Sequence, residues 1–380
     1  MGDDIRRKLI LRQLDRANLT AGDELESENN LGELSSFKKP MGSQNQSVGD
    51  TGRSNKKTTW RQFFDHNECI GVQNRNLEFN VYYSLPKSVD ARSIPIFVLH
   101  HGAGSSGLTF ATLVQHVDSQ LDGKCGFFTF DARGHGATRP IDPSKGLRYD
   151  RQSYNDDFVE LLERFYCEHL IQFGETKLSL VLVGHSLGGS ICTFSYMELP
   201  EHLRKRVLGV FMLDIVEEAA TLALKNVYSF LSKTPNVFKN YQEAIDWSVR
   251  RGFSKNRCSA EVAVPACFRQ VSSGKVVRIT NLKDFEKYWD SWFVGLSQRF
   301  VSLPTNKLLL LAGNENLDKE LIIGQMQGKY QLVVFQDSGH FIQEDTPVKT
   351  AITLVDFWRR NDSKKIVIKT NWKSKKFTGQ

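Results

Sequence analysis

The sequence predicts an α/β class of fold, in which a mostly parallel central sheet is flanked by helices and carries a helical cap insertion. Three observations point there. Six short, near-continuous apolar runs recur along the chain, as in strands buried on both faces. Helical patterns of a dozen residues or more lie between most of them, the alternation of βαβ units. One interval, about 215–305, is far longer than a crossover needs, so it reads as an insertion over the carboxyl ends of the strands, where ligands bind in such sheets.

Taken in order, residues 4–19 place Ile5, Leu9, Ile10 and Leu14 at helical spacing with Arg and Lys opposite, which predicts a short amphipathic helix. Residues 20–59 are rich in Gly, Ser, Asn, Glu and Lys. They hold few large apolar side chains to offset the entropy of ordering, so disorder is expected. The folded body is expected over 60–361. In LEFNVYY (77–83), Leu77, Phe79, Val81 and Tyr83 share one face at period two. Further strands are IPIFVLH (94–100), CGFFTFD (125–131), LSLVLVG (178–184), VLGVFMLD (207–214), KLLLLAG (307–313) and YQLVVFQ (330–336). Helices are expected at 154–170 and 350–360, and residues 362–380 form a basic tail.

The chain has 380 residues, 40% of them hydrophobic and 24% charged, an ordinary globular composition. No run approaches the eighteen or so apolar residues of a membrane span, and the start, MGDDIRRKLI, has no apolar h-region, so neither membrane insertion nor secretion is expected. Gly2 does not signal myristoylation, because Arg6 stands where that motif needs Ser or Thr. Six scattered cysteines without CxxC spacing read as buried thiols in a reducing compartment and signal no zinc site. The expected location is the cytoplasm, with the nucleus second. The formal charge is +7, and the last twenty residues supply five of it, six Lys against one Asp. A basic tail is not the basic, aromatic-laced face of a nucleic-acid binder, so no nucleic-acid partner is expected.

The chemistry centres on LSLVLVGHSLGGSICTF (178–194). A bare GxSxG arises by chance in about one chain of this length in ten. Here, however, it follows a β-branched apolar run and opens a helical segment, the strand, sharp turn and helix of a nucleophile elbow. Ser186 is therefore the candidate nucleophile, and it needs a base held by a third group. Of nine His, only His340 follows the final strand, and it is the candidate base. His185 is expected to point away from the nucleophile side, and His135 to shape a loop below the site. For the acid, Asp214 closes an apolar strand, while Glu315 and Asp318 follow the next one. Pattern favours Asp214, with Asp318 second. LHHGAGSSG (99–107) follows a strand and supplies Ala103 N–H, which pairs with Leu187 N–H as the candidate oxyanion hole. No phosphate loop of the GxxxxGK[ST] type occurs.

VGHSLGGSICTF, MLDIVEEAA, SGKVVRITNLKDFEKYWDSWF and LLLLAGNENLDKELIIGQMQGKYQLVVFQDSGHFIQED together resemble the protein phosphatase methylesterases of the α/β-hydrolase superfamily, most closely the yeast members. The resemblance spans about 58–372. It implies hydrolysis of the methyl ester on the C-terminal leucine of the catalytic subunit of type 2A protein phosphatases, without a cofactor or catalytic metal. It further implies Ser186, His340 and, at the matching acid position, Asp214 as the triad. HHGAGSSG departs from the HGGG form of animal relatives and Leu187 replaces their Met, so the oxyanion assignment rests on the fold. A monomer is expected.

Two other readings stand beside this one. A general carboxylesterase or lipase would share every catalytic residue, but the charged and aromatic insertion, with Glu217, Glu218, Arg278, Trp289 and Trp292, suits a protein chain end better than an acyl tunnel. A phosphatase-binding inhibitor or scaffold would need no turnover, which a complete triad argues against. Dehalogenases and epoxide hydrolases of this fold carry Asp at the elbow.

Overall fold

The apolar runs form strands of one nine-stranded sheet in a computed structural model, which describes residues 59–88, 93–174, 177–313 and 317–362. The expected helix 4–19, the expected disordered segment apart from Thr59, the basic tail after Asp362, and Glu315 lie outside the described residues. The strands are β1 (His66–Val72), β2 (Leu77–Ser84), β3 (Ile94–His100), β4 (Gly126–Phe130), β5 (Arg139–Pro140), β6 (Leu178–His185) and β7 (Val207–Leu213). Within the insertion come β8 (Val237–Phe238), β9 (Phe268–Gln270) and β10 (Val276–Arg278), and beyond it β11 (Asn306–Ala312) and β12 (Gln331–Phe335). The main order is β1, β2, β4, β3, β6, β7, β11, β12, with β5 on β2. From β4 to β12 every pairing is parallel, whereas β1, β2 and β5 pair antiparallel.

Continuous apolar runs give continuous burial because alternate side chains enter different layers. Ile96, Val98, Leu180, Leu182, Met212 and Leu309 face one core with the helix Arg151–Phe165 and the elbow helix Leu187–Ser195. Their neighbours Phe97, Leu99, Val181, Val183, Phe211 and Leu308 face the other, against the helices Ala111–Leu121 and Pro347–Asn361. Each fully buried Val, Leu or Phe contributes about 1.5–3 kcal/mol of transfer free energy, so the two layers supply most of the driving force.

The structure adds elements that the pattern did not announce. β1 is an edge strand, mostly exposed, and its sequence HNECIGV lacks an apolar face. β2 was expected to be apolar on one side only, yet Tyr82 on the other side is buried too, beneath Trp60 and Phe64 at ring distances of 6.3 and 5.8 Å. The insertion is not purely helical: β8, β10 and β9 make a small antiparallel sheet over a core of its own, including Phe238, Ile245, Phe268 and Val276. Strands of two or three residues are too short to leave a readable period. The helix expected at 154–170 runs from Arg151 to Phe165, capped by the Asp150 carboxylate on Ser153 N–H at 3.0 Å, and ends in a π-helical turn at 166–170.

Candidate active site

The elbow is built by glycines around a strained serine. Ser186 has φ 51° and ψ −119°, a conformation that costs a non-glycine residue about 1–3 kcal/mol and persists only where its surroundings impose it. They do so here. A Cβ on Gly184 would run into the Gly188 backbone, one on Gly188 would run into the His100 carbonyl, and Ser186 N–H donates to Leu213 O at 2.9 Å. Although it stands at the N-cap of Leu187–Ser195, its hydroxyl makes no capping bond, unlike Asn240, Asn256 and Asp318 on their helices. Ser186 itself is half-buried.

One strand over, Asp214 follows β7 with φ 51° and donates its own N–H to Leu310 O at 2.8 Å. Its carboxylate is 2% exposed, and both oxygens are engaged. Oδ1 accepts from Ala312 N–H at 2.7 Å and Oδ2 meets His340 Nδ1 at 2.7 Å. The carboxylate can only accept, so the proton sits on Nδ1 of His340 and Nε2 is left with the lone pair that a base requires. The His340 side chain is 50% exposed, facing the open side. Asp318, the second candidate acid, is elsewhere. It caps the helix Lys319–Met326 through Leu321 N–H at 3.0 Å and accepts from Ser297 Oγ.

The oxyanion loop is held from below by neutral histidines. Gly104 N–H donates to His135 Nε2 at 2.9 Å, Ser105 N–H to Gly102 O at 3.3 Å, and Gly107 N–H to Asp131 Oδ1 at 2.9 Å. Those donors are spent. Ala103 N–H and Leu187 N–H, the candidate pair, donate in none of the turn, loop and cap backbone bonds of the described residues. His101 Nε2 accepts from Ala132 N–H at 2.9 Å, and its Nδ1 donates to Gly102 O at 2.8 Å. Burial pushes His100 down to about 4 and His101 and His135 down to about 3, so all three stay uncharged beneath the loop. The expectation that His135 shapes a loop below the site matches this geometry.

Two participants escaped sequence reasoning. Asp131, buried at the end of CGFFTFD, accepts from Gly107 N–H, Ala137 N–H and Asn80 Nδ2, and so anchors the loop. The signal that flagged Asp214, an aspartate closing an apolar strand, applied to it equally. His185 does not simply point away: its Nε2 lies 2.8 Å from the carbonyl oxygen of His340.

The insertion covers this edge. Thr280 Oγ1 donates to Gly134 O at 3.0 Å, Leu282 packs over Gly104, and Phe285 lies 5.5 Å from His135. Trp289 and Trp292 are buried in the core that the main sheet shares with the elbow helix, with Trp292 Nε1 donating to Tyr149 O at 2.7 Å. Glu217 binds Gly295 and Ser297 N–H at 2.8 and 2.9 Å, holding the helix Leu296–Ser302. These three are structural, and Glu218 is exposed.

Comparison with known proteins agrees with the geometry. The alpha/beta hydrolase fold family matches residues 95–347. The chain is 52% identical to protein phosphatase methylesterase 1 of Saccharomyces cerevisiae, covering 98% of both chains. It is 54% identical to the protein of that name from Candida glabrata, covering 98% of this chain and 99% of the other. Among solved structures, E-2-(acetamidomethylene)succinate hydrolase aligns with a TM-score of 0.59 at 18% identity, over 77% of this chain and all of that one. An esterase of Mycobacterium tuberculosis aligns at 0.55 and 16%, over 77% and 92%, and these two likenesses concern the fold.

Proposed function

The chain belongs to the α/β hydrolase fold family and, within it, to the protein phosphatase methylesterases, and on that premise we propose that Ser186, His340 and Asp214 cleave the methyl ester on the C-terminal leucine of a type 2A phosphatase catalytic subunit. It is a serine hydrolase, a methylesterase acting on a protein phosphatase. The observation that carries the residue assignment is the 2.7 Å bond from His340 Nδ1 to the buried Asp214, beside a serine held in a strained elbow.

In this mechanism His340 Nε2 takes the Ser186 proton as Oγ attacks the ester carbonyl, a contact that closes as substrate binds. The oxyanion forms between Ala103 N–H and Leu187 N–H, where one such donor is worth about a hundredfold or more in kcat. His340 then gives that proton to the leaving methoxide oxygen, which departs as methanol. Water, activated by the same imidazole, attacks the acyl-enzyme and frees the leucine carboxylate and Ser186. Asp214 holds the Nδ1–H tautomer and stabilises the imidazolium in both halves.

The substrate assignment is supported by the similarity to methylesterases along nearly the whole chain. We also propose that the enzyme acts as a monomer in the cytoplasm and nucleus; the six cysteines, all free, suit a reducing compartment. The test compares turnover of methylated type 2A catalytic subunit, its C-terminal peptide methyl ester and a generic short-chain ester. The phosphatase should be preferred in kcat/KM, and preference for the generic ester would overturn the assignment. In the same assay Asp214→Asn should lower kcat about 10⁴-fold by trapping the wrong tautomer, while Asp318→Asn leaves the chemistry intact. The reverse order would move the acid.

A further inference from the structure

His185 ends β6 immediately before the nucleophile and is buried. Its Nε2 lies 2.8 Å from the His340 carbonyl oxygen. A carbonyl only accepts, so the proton is on Nε2, and Nδ1 carries the lone pair. That Nδ1 is buried without a hydrogen-bond partner among the described residues, 3.0 Å from where a Cβ on Gly102 would lie. The His185 ring sits 4.7 Å from the His340 ring and 5.0 Å from Phe341.

One imidazole thus touches three loops. It is joined covalently to Ser186, packs on the oxyanion loop at Gly102, and holds the base loop by a hydrogen bond spanning 155 residues of chain. The bond to His340 is to the backbone, so it fixes the Cα from which the base side chain projects, while Asp214 fixes the ring. The two restraints are different, and each leaves a freedom that the other removes. Burial first, and the neighbouring His340 second, drive the His185 pKa well below its ordinary value. A neutral ring is what this place needs, because His340 becomes cationic twice per turnover and a second cation 4.7 Å away would oppose it.

We propose that His185 is a positioning residue for the reaction: its Nε2–H holds the His340 carbonyl, and its ring backs the His340 imidazole, setting the approach of the base to the Ser186 hydroxyl. The inference rests on His340 being the base, so the experiment separates the two.

Full-length wild type, His340→Ala, His185→Phe and His185→Gln are assayed on p-nitrophenyl acetate, with thermal melts of each. His340→Ala should lower kcat about a thousandfold or more. His185→Phe keeps a ring and removes the donor; kcat should fall about tenfold to a hundredfold with KM within about twofold, the signature of a displaced base. His185→Gln, whose amide N–H can reach the carbonyl, should recover kcat to within about threefold of wild type. In the wild type, ¹⁵N spectra should show His185 as the neutral Nε2–H tautomer from about pH 5 to about pH 8. An inactive His340→Ala beside a fully active His185→Phe overturns the positioning role and leaves the triad standing, whereas an active His340→Ala overturns the triad. If Gln and Phe lose kcat equally and in step with their melting temperatures, the residue is packing alone. Should the Phe variant not fold, the spectra decide: titration of His185 in that range, or its proton on Nδ1, overturns the inference.

Discussion

Ser186 and Asp214 share an uncommon trait: each is a non-glycine residue at φ 51°, and each directly follows a strand of the main sheet. The strain at Ser186 is maintained by the fold, so relieving it should stabilise the protein while removing the nucleophile. Glycine adopts such a conformation freely, though it adds unfolded-chain entropy that takes back about 0.4–1 kcal/mol. Ser186→Gly should therefore be more stable than Ser186→Ala by about 1 kcal/mol in urea unfolding, with both devoid of turnover. A Gly variant less stable than the Ala variant would mean the elbow holds no strain. Legibility at this scale followed chemistry. Ser186 and His340 announce themselves by motif and place, whereas Asp214 and Asp318 separate only in space, where one carboxylate reaches His340 and the other caps a helix.

At the scale of elements, the oxyanion loop is held against the elbow by close backbone approach. A Cβ on Gly102 would lie 3.0 Å from both Ser186 Cβ and His185 Nδ1 and 3.2 Å from His185 O, tight enough to push the loop away by tenths of an ångström. Oxyanion donors tolerate little displacement, so Gly102→Ala should reduce kcat about tenfold or more with KM little changed. Gly71→Ala, where nothing lies within 4 Å, is the control that should retain wild-type rates. Equal rates for the two variants would show that the loop adjusts freely. The strands of the main sheet were legible because burial on both faces demands continuous apolar runs. β1 and the sheet of the cap were not, since an exposed edge and strands of two or three residues impose no such demand.

For the whole molecule, the buried histidines make stability depend on pH. His100, His101 and His135 are held near 4, 3 and 3 in the folded chain, and His185 well below its ordinary 6.5. Below pH 6.5 the unfolded chain binds protons that the folded chain refuses. Their stabilisation is thus fully present above 6.5 and is lost as pH falls toward 4 and then 3, each site contributing about 1.4 kcal/mol per pH unit within its window. Glu344 works in the opposite direction. Burial raises it to about 7 from 4.5, so its contribution is present below 4.5 and lost as pH rises through 7. Asp131 and Asp345 are raised by burial as well, so four histidines act against three carboxyls; the unfolding free energy should still fall between about pH 6.5 and about pH 5, and His100→Gln should flatten that slope by about one proton. A level profile in this window would contradict the neutral histidines.

The sequence by itself determined the class of sheet and the family and pointed to Ser186 and His340 as candidate nucleophile and base, because strand burial and an elbow are enforced locally and leave their residues in a fixed order along the chain. The tertiary structure alone showed the bond from Asp214 to His340, the helix-capping place of Asp318, and that His185 bridges the elbow to the base loop. Those contacts join residues up to 155 positions apart, and no local period or spacing encodes a distance across space.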